Sequence, residues 1–167
     1  MGRSIGAIEG LPVLDLGRRV ADELGTSPDL ALVAVPEADY RRVEARVACQ
    51  VLDHAVAQGA VVALGSGCLG DPRIGLRLEE LRLVHDRSCQ IVALACATRV
   101  LATRNGLDAP RSVALGTVHH QFVQMLHERQ ARCRELADTI IDTSATTPEE
   151  AGEQVIRAVE AGFSHHS

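Results

Sequence analysis

Short, continuous runs of apolar residues alternate with longer stretches of helical character, and this alternation limits the fold more than any other feature. The runs are bounded by turn residues and lie at 12–15, 60–65, 90–95 and 139–142. Continuous apolar runs of this length are typical of strands buried on both faces of a parallel sheet. The sequence therefore predicts an α/β fold in which helices cover both sides of a parallel sheet, giving three layers.

The helical stretches are marked by capping residues and by periodic apolar positions. They are predicted at 18–24, 36–58, 71–82, 97–104, 118–137 and 148–161. Residues 105–117 contain Asn-Gly and Ala-Pro and are predicted to form a loop. The chain of 167 residues is long enough for one domain, predicted over 1–162 and followed by a flexible tail at 163–167.

The composition excludes several classes of function. The net charge of −5 argues against a nucleic-acid-binding surface, which normally needs a basic patch. No apolar run is long enough for a membrane span or a signal peptide, so a cytoplasmic location is expected. Aromatic residues make up only 2% of the chain, so the core is predicted to consist of Ala, Val, Leu and Ile.

The chain has no lysine, because all 17 of its basic residues are arginine. Schiff-base chemistry is therefore excluded, and so is a lysine of this chain that grips nucleotide phosphates. The five cysteines are odd in number and lack the spacing of a zinc site. They are predicted to be reduced and mostly buried.

The ends of the predicted strands are the first place to look for a ligand site, because parallel sheets bind ligands at their carboxyl ends. Gly65-Ser66-Gly67 follows the second run, and its glycines allow a ligand to approach backbone N–H groups. Arg41, on the preceding helix, suits bidentate capture of a carboxylate. A tight turn explains the glycine segment as well, and an exposed helix face with local ion pairs explains Arg41 as well.

Several segments together resemble shikimate kinases, in the order and spacing of that family. They are Asp15-Leu16-Gly17, Gly25-Thr26-Ser27, EADYRRVE at 37–44, Leu64-Gly65-Ser66-Gly67, HERQARC at 127–133 and DTIIDT at 138–143. The resemblance covers nearly the whole chain and implies a P-loop kinase-like fold. It also implies the family activity, which is ATP-dependent phosphorylation of shikimate to shikimate 3-phosphate in aromatic amino acid biosynthesis, with ATP and magnesium as cofactors.

The resemblance implies roles for individual residues. The substrate-binding positions of the family correspond here to Arg41, Gly65, Ser66, Gly67 and Arg129. Of these, the two arginines would bind the carboxylate of shikimate, although an exposed position among other charges explains Arg129 equally well. Asp15 would hold magnesium through water, and Arg111 is the candidate for the arginine of the lid. No catalytic residue is assigned.

The chain departs from the family pattern in three places. Continued backwards, the match places Met1 directly after the expected Gly-x-x-x-x-Gly-Lys-Ser/Thr phosphate loop (Walker A), so this loop and the first strand are expected to be missing from the chain as given. An upstream start, the N-terminal residues or a partner strand would fill the resulting gap. Gly17 replaces an acid that contacts the substrate hydroxyl, and Ser66 replaces a glycine.

These departures leave three interpretations. The first is a degenerate or N-terminally truncated shikimate kinase with impaired activity. The second is a non-catalytic pseudokinase that binds a small carboxylate or a protein partner covering the exposed sheet. The third is a decayed protein without a ligand.

Overall fold

The computed structural model describes residues 10–84, 89–104 and 113–164. Within these ranges, four short strands alternate with helices. The strands are β1 (Val13–Asp15), β2 (Val61–Ala63), β3 (Val92–Ala95) and β4 (Thr139–Asp142). The helices are α1 (Leu16–Glu23), α2 (Ala31–Ala34), α3 (Glu37–Gln58), α4 (Pro72–Val84), α5 (Thr98–Arg104), α6 (Val113–Leu136) and α7 (Pro148–Ser164), and a 3-10 turn spans Ser66–Gly70.

The strands pair in parallel, which confirms the predicted α/β fold with parallel strands. β1 pairs with β2, with Val13 opposite Val61, and β3 pairs with β4, with Val92 opposite Thr139. Within the described residues these are two separate two-stranded sheets, since no ladder joins one pair to the other. The predicted parallel sheet is thus present as two strand pairs, in a chain for which the resemblance predicted a gap in the sheet.

Among the described residues, strands β2 and β3 each have one edge that pairs with no other strand. The N–H of Val61 donates to Pro12 O at 2.9 Å, and the N–H of Thr143 donates to Ala95 O at 2.7 Å. Because alternate residues of a parallel strand direct their backbone groups to opposite edges, those of Val62 and Leu94 point away from β1 and β4. The side chain of Leu94 is also 47% exposed.

Several predicted boundaries differ from the structure, and three of the differences affect the ends of helices. α1 begins at Leu16 rather than at residue 18, because Asp15 Oδ1 accepts the N–H of Arg18 at 3.2 Å and caps the helix. α6 begins at Val113, so residues 113–117, predicted as loop, are helical; the glycine at 116 is tolerated inside a helix at a cost of about 1 kcal/mol. α7 extends to Ser164, two residues into the predicted tail, and residues 165–167 lie outside the described ranges.

The buried core is mainly aliphatic, as the composition predicted, and it holds the elements around the site in place. Leu16 and Val20 of α1 pack with α3, and Ile74 of α4 is fully buried in the same cluster. The cluster also contains Cys68 of the 3-10 turn. These contacts fix α3, α4 and the turn relative to one another. None of the described helices combines the length and apolar character that a membrane span requires.

Candidate functional site

A cavity of about 520 Å³ lies between the first turns of α3, the 3-10 turn and α6. Its wall contains four of the residues singled out in the sequence, namely Arg41, Ser66, Gly67 and Arg129. Helix α6 contacts both the 3-10 turn and β3. Segments far apart in the chain therefore meet at the carboxyl ends of β2 and β3, where parallel sheets place ligands.

Arg41 is held in the wall by the buried face of α3. Tyr40 and Glu44 are both buried, and they lie one turn apart on that helix. Arg41 Nη1 donates to Glu44 Oε2 at 2.7 Å, and Arg41 Nη2 lies 3.6 Å from Glu37 Oε1. The side chain of Glu44 is 8% exposed and that of Arg41 is 35% exposed. The charge of Arg41 is therefore offset by a carboxylate buried behind it.

Three groups around the back of the cavity, Tyr40, Arg41 and Cys68, have raised pKa values. Burial opposes the charge of Arg41, but the hydrogen bond to Glu44 and the nearby acids outweigh it and raise the pKa of Arg41. Burial, together with the charge of Glu44, raises the pKa of Tyr40 above its usual value. Burial likewise raises the pKa of Cys68 to about 12, so its thiol is neutral at neutral pH and is a poor nucleophile.

Gly67 allows the guanidinium of Arg41 to lie against the 3-10 turn. A Cβ atom at this position would lie 2.9 Å from Arg41 Nη1, which is closer than real Cβ contacts come. At Gly65, which caps the same turn, an added Cβ would meet nothing within 4 Å. A side chain at position 67 would therefore displace the guanidinium of Arg41, whereas position 65 has room for one.

Arg129 faces the cavity from α6 without an acidic partner. It is half-buried, and in the part of the chain that the structure describes it forms no ion pair. Its neighbour Glu128 accepts a hydrogen bond from Gln124 at 3.0 Å. Gln130 Nε2 donates to Cys96 O at 2.7 Å and anchors α6 over the end of β3. Arg129 is therefore a cation on an anchored helix, and among the described residues no acid neutralises its charge.

The remaining predicted residues do not join this wall. Gly65 precedes it as the cap of the 3-10 turn. Asp15 is not in the wall and caps α1 instead, and the described residues contain no group of three acids, histidines or cysteines able to hold a metal ion. Arg111, the lid candidate, lies outside the described residues.

The sequence analysis missed several residues of the wall. Glu44, Cys68, Asp71 and Arg132 all line the cavity. Glu44 lies in the segment that carries the resemblance, three residues after Arg41, which is the spacing of a helical ion pair. Arg132 lies three residues after Arg129 on the same helix. The sequence spacing could therefore have indicated Glu44 and Arg132. The burial of Glu44 depends on tertiary packing and could not be predicted from the sequence.

Known proteins resemble this chain over nearly its whole length. The family model for shikimate kinase matches residues 1–160. A shikimate kinase of Thermobifida fusca (strain YX) is 27% identical over 161 residues, which are 96% of this chain and 87% of that protein.

Two solved structures share the fold. A shikimate kinase of Bacteroides thetaiotaomicron matches with a TM-score of 0.67 and 17% identity, covering 95% of this chain and 89% of that one. A shikimate kinase of Acinetobacter baumannii, solved in complex with shikimate, matches with a TM-score of 0.68 and 16% identity, covering 96% and 84%. Since the family model spans all but the last few residues, the chain belongs to the shikimate kinase family.

Proposed function

We propose that the cavity binds a small hydroxylated carboxylic acid such as shikimate. The observation that carries this proposal is the half-buried Arg129, which pairs with no acid among the described residues and lines the same cavity as Arg41 and Gly67. A guanidinium offers two parallel N–H donors that match a carboxylate. The relative from Acinetobacter baumannii that was solved with shikimate supports this class of ligand.

The charges in the wall favour a ligand that brings a carboxylate to α6. Arg41 is already offset by Glu44 at 2.7 Å, so it adds hydrogen-bond donors rather than a free charge. Asp71, also in the wall, is held by Arg73 through contacts of 2.7 and 3.0 Å. Arg132 of the wall is paired with Glu135, so Arg129 is the arginine of the wall that pairs with no acid among the described residues, and a carboxylate would neutralise it. Gly67 and Ser66 then supply backbone at which the ring of the ligand packs.

Phosphoryl transfer is proposed to be impaired in the 167 residues as given. The family implies ATP and magnesium, whose charge would neutralise the transferred phosphate. The 167 residues contain no lysine to grip the phosphates, and Asp15, the candidate for magnesium, uses one carboxylate oxygen to cap α1. The lack of a lysine that could grip the phosphates favours a binding protein over an active kinase.

Calorimetric titration of the 167-residue protein tests both parts of this proposal. Shikimate is expected to bind, whereas its methyl ester, which has the same ring without the charge, is expected to bind at least tenfold more weakly, as is typical of a lost charged hydrogen bond of about 1.5–3 kcal/mol. Mg·ATP is expected to give no heat and no ADP release with shikimate present. Equal binding of acid and ester would contradict the carboxylate site, and turnover would contradict the impaired activity.

A second candidate function is binding of a protein partner that supplies a strand to an open sheet edge. It is favoured by the backbone groups of Val62 and Leu94, which face away from β1 and β4, and by the exposed side chain of Leu94. Added strands of this kind gain their affinity mainly from main-chain hydrogen bonds.

Amide hydrogen exchange of the isolated protein tests the openness of these edges. The amides of Val62 and Leu94 are expected to exchange much faster than that of Val61, which is bonded to Pro12 and serves as the internal control. Equal protection of all three amides in the monomer would mean that the edges are already covered and would remove the reason to expect a partner strand.

A further inference from the structure

A third arginine, Arg132, lies in the wall of the cavity. It follows Arg129 by three residues on α6, so the two side chains share one face of the helix. Arg132 Nη1 lies 2.9 Å from Glu135 Oε2, and Arg132 Nη2 lies 3.9 Å from Glu79 Oε1. Neither acid lines the cavity, and both are at least half exposed. Such exposed pairs are screened by solvent and bind their partners only weakly.

The position of Arg132 depends on Gly75 of α4. A Cβ atom at Gly75 would lie 2.3 Å from Arg132 Nη2 and 3.3 Å from its Cζ atom, so no other residue leaves the guanidinium where it is. Gly75 is buried in the interior of a helix, where glycine is less favourable than alanine. The contact accounts for a glycine at this position, and it places the guanidinium of Arg132 between α4 and α6.

We infer that Arg132 is a second ligand-binding cation of the cavity and that it selects small hydroxy acids bearing a second anionic group. This inference rests on the proposed function, in which Arg129 takes the carboxylate. Arg41 is offset by Glu44, and a ligand with a single carboxylate would be held by Arg129. Among the described residues, the charge of Arg132 would then remain paired with the exposed acids Glu79 and Glu135. A phosphate ester or a second carboxylate displaces those acids and bonds to the guanidinium instead.

The test compares two ligands that differ by a single phosphate, shikimate and shikimate 3-phosphate, by calorimetric titration of the whole chain. The unsubstituted protein is expected to bind the phosphate ester about tenfold more tightly, which is the effect of one added charge-assisted hydrogen bond. In Arg132→Gln this preference is expected to disappear while the affinity for shikimate changes less than threefold. Gly75→Ala, which displaces the guanidinium of Arg132, is expected to reduce the preference for the phosphate ester as well.

Arg134→Gln is the matched control, since Arg134 lies on the same helix outside the cavity wall. Arg134→Gln is expected to bind the phosphate ester with the same preference as the unsubstituted protein. This result would show that the preference depends on the position of Arg132 and not on the net charge of α6. If Arg132 has only a structural role, Arg132→Gln would lower the affinity for both ligands equally, and that result would overturn the inference. If the protein binds shikimate but shows no preference for the phosphate ester, the inference about Arg132 is wrong while the proposed function stands. If it binds neither ligand, both the inference and the proposed function are wrong.

Discussion

Replacing Arg41 with alanine is expected to lower the free energy of unfolding by about 2–3 kcal/mol, because the buried carboxylate of Glu44 loses its partner. Removing one member of a fully buried pair costs about 3–5 kcal/mol. The lower value is expected here because the side chain of Arg41 is 35% exposed and water reaches the space it leaves. Urea denaturation of the folded protein measures the change directly.

The neighbouring Arg42 provides the control for this prediction. It is 74% exposed and pairs with Asp39 at the surface of the same helix. Its replacement by alanine is expected to change the free energy of unfolding by less than about 1 kcal/mol, as exposed pairs do. Replacing Glu44 with leucine in the Arg41→Ala protein should recover much of the loss, since no buried charge then remains. Similar losses in Arg41→Ala and Arg42→Ala would refute the structural role of the buried pair.

Replacing Arg129 with glutamine is expected to weaken binding of shikimate about 10- to 100-fold, which corresponds to the loss of a charge-assisted hydrogen-bond pair. The free energy of unfolding is expected to stay within about 0.5 kcal/mol of the original, since Arg129 has no ion pair to lose among the described residues. Calorimetric titration gives the first quantity and urea denaturation the second.

Arg134→Gln again supplies the comparison, because it removes the same charge from α6 outside the cavity wall. It should leave shikimate binding within about twofold, since screened charges at a distance contribute little. If both variants bind shikimate with unchanged affinity, Arg129 does not take the carboxylate. If Arg129→Gln instead unfolds the protein, its side chain has a structural role that the described contacts do not reveal.

Much of the fold was predictable because parallel strands and helices have different apolar periods. The run at 139–142 coincides with β4, and Pro148 begins the last helix as its sequence indicated. The resemblance predicted a gap in the sheet, but which strands pair with each other was not predicted, since hydrogen bonding between strands is a long-range property. The start of α1 was not predicted, because the side chain of Asp15 caps a helix that begins directly after the strand.

The candidate site was predicted in part, and the missing part is tertiary. Arg41 and Arg129 were selected by residue type and by resemblance, and the structure brings them to one cavity. Nothing in the sequence indicated that Glu44 is buried or that Gly75 makes room for Arg132. Contacts between residues far apart in the chain decide both features, and a single sequence carries little record of them.

The unequal partnering of the two arginines has an evolutionary consequence. Arg41 is joined to a buried acid, so a mutation there is expected to damage folding whatever it does to the ligand. Arg129 has no such tie among the described residues, so α6 can change without the same penalty. Descendants of this protein should therefore acquire new ligand preferences through helix α6 while α3 stays nearly fixed.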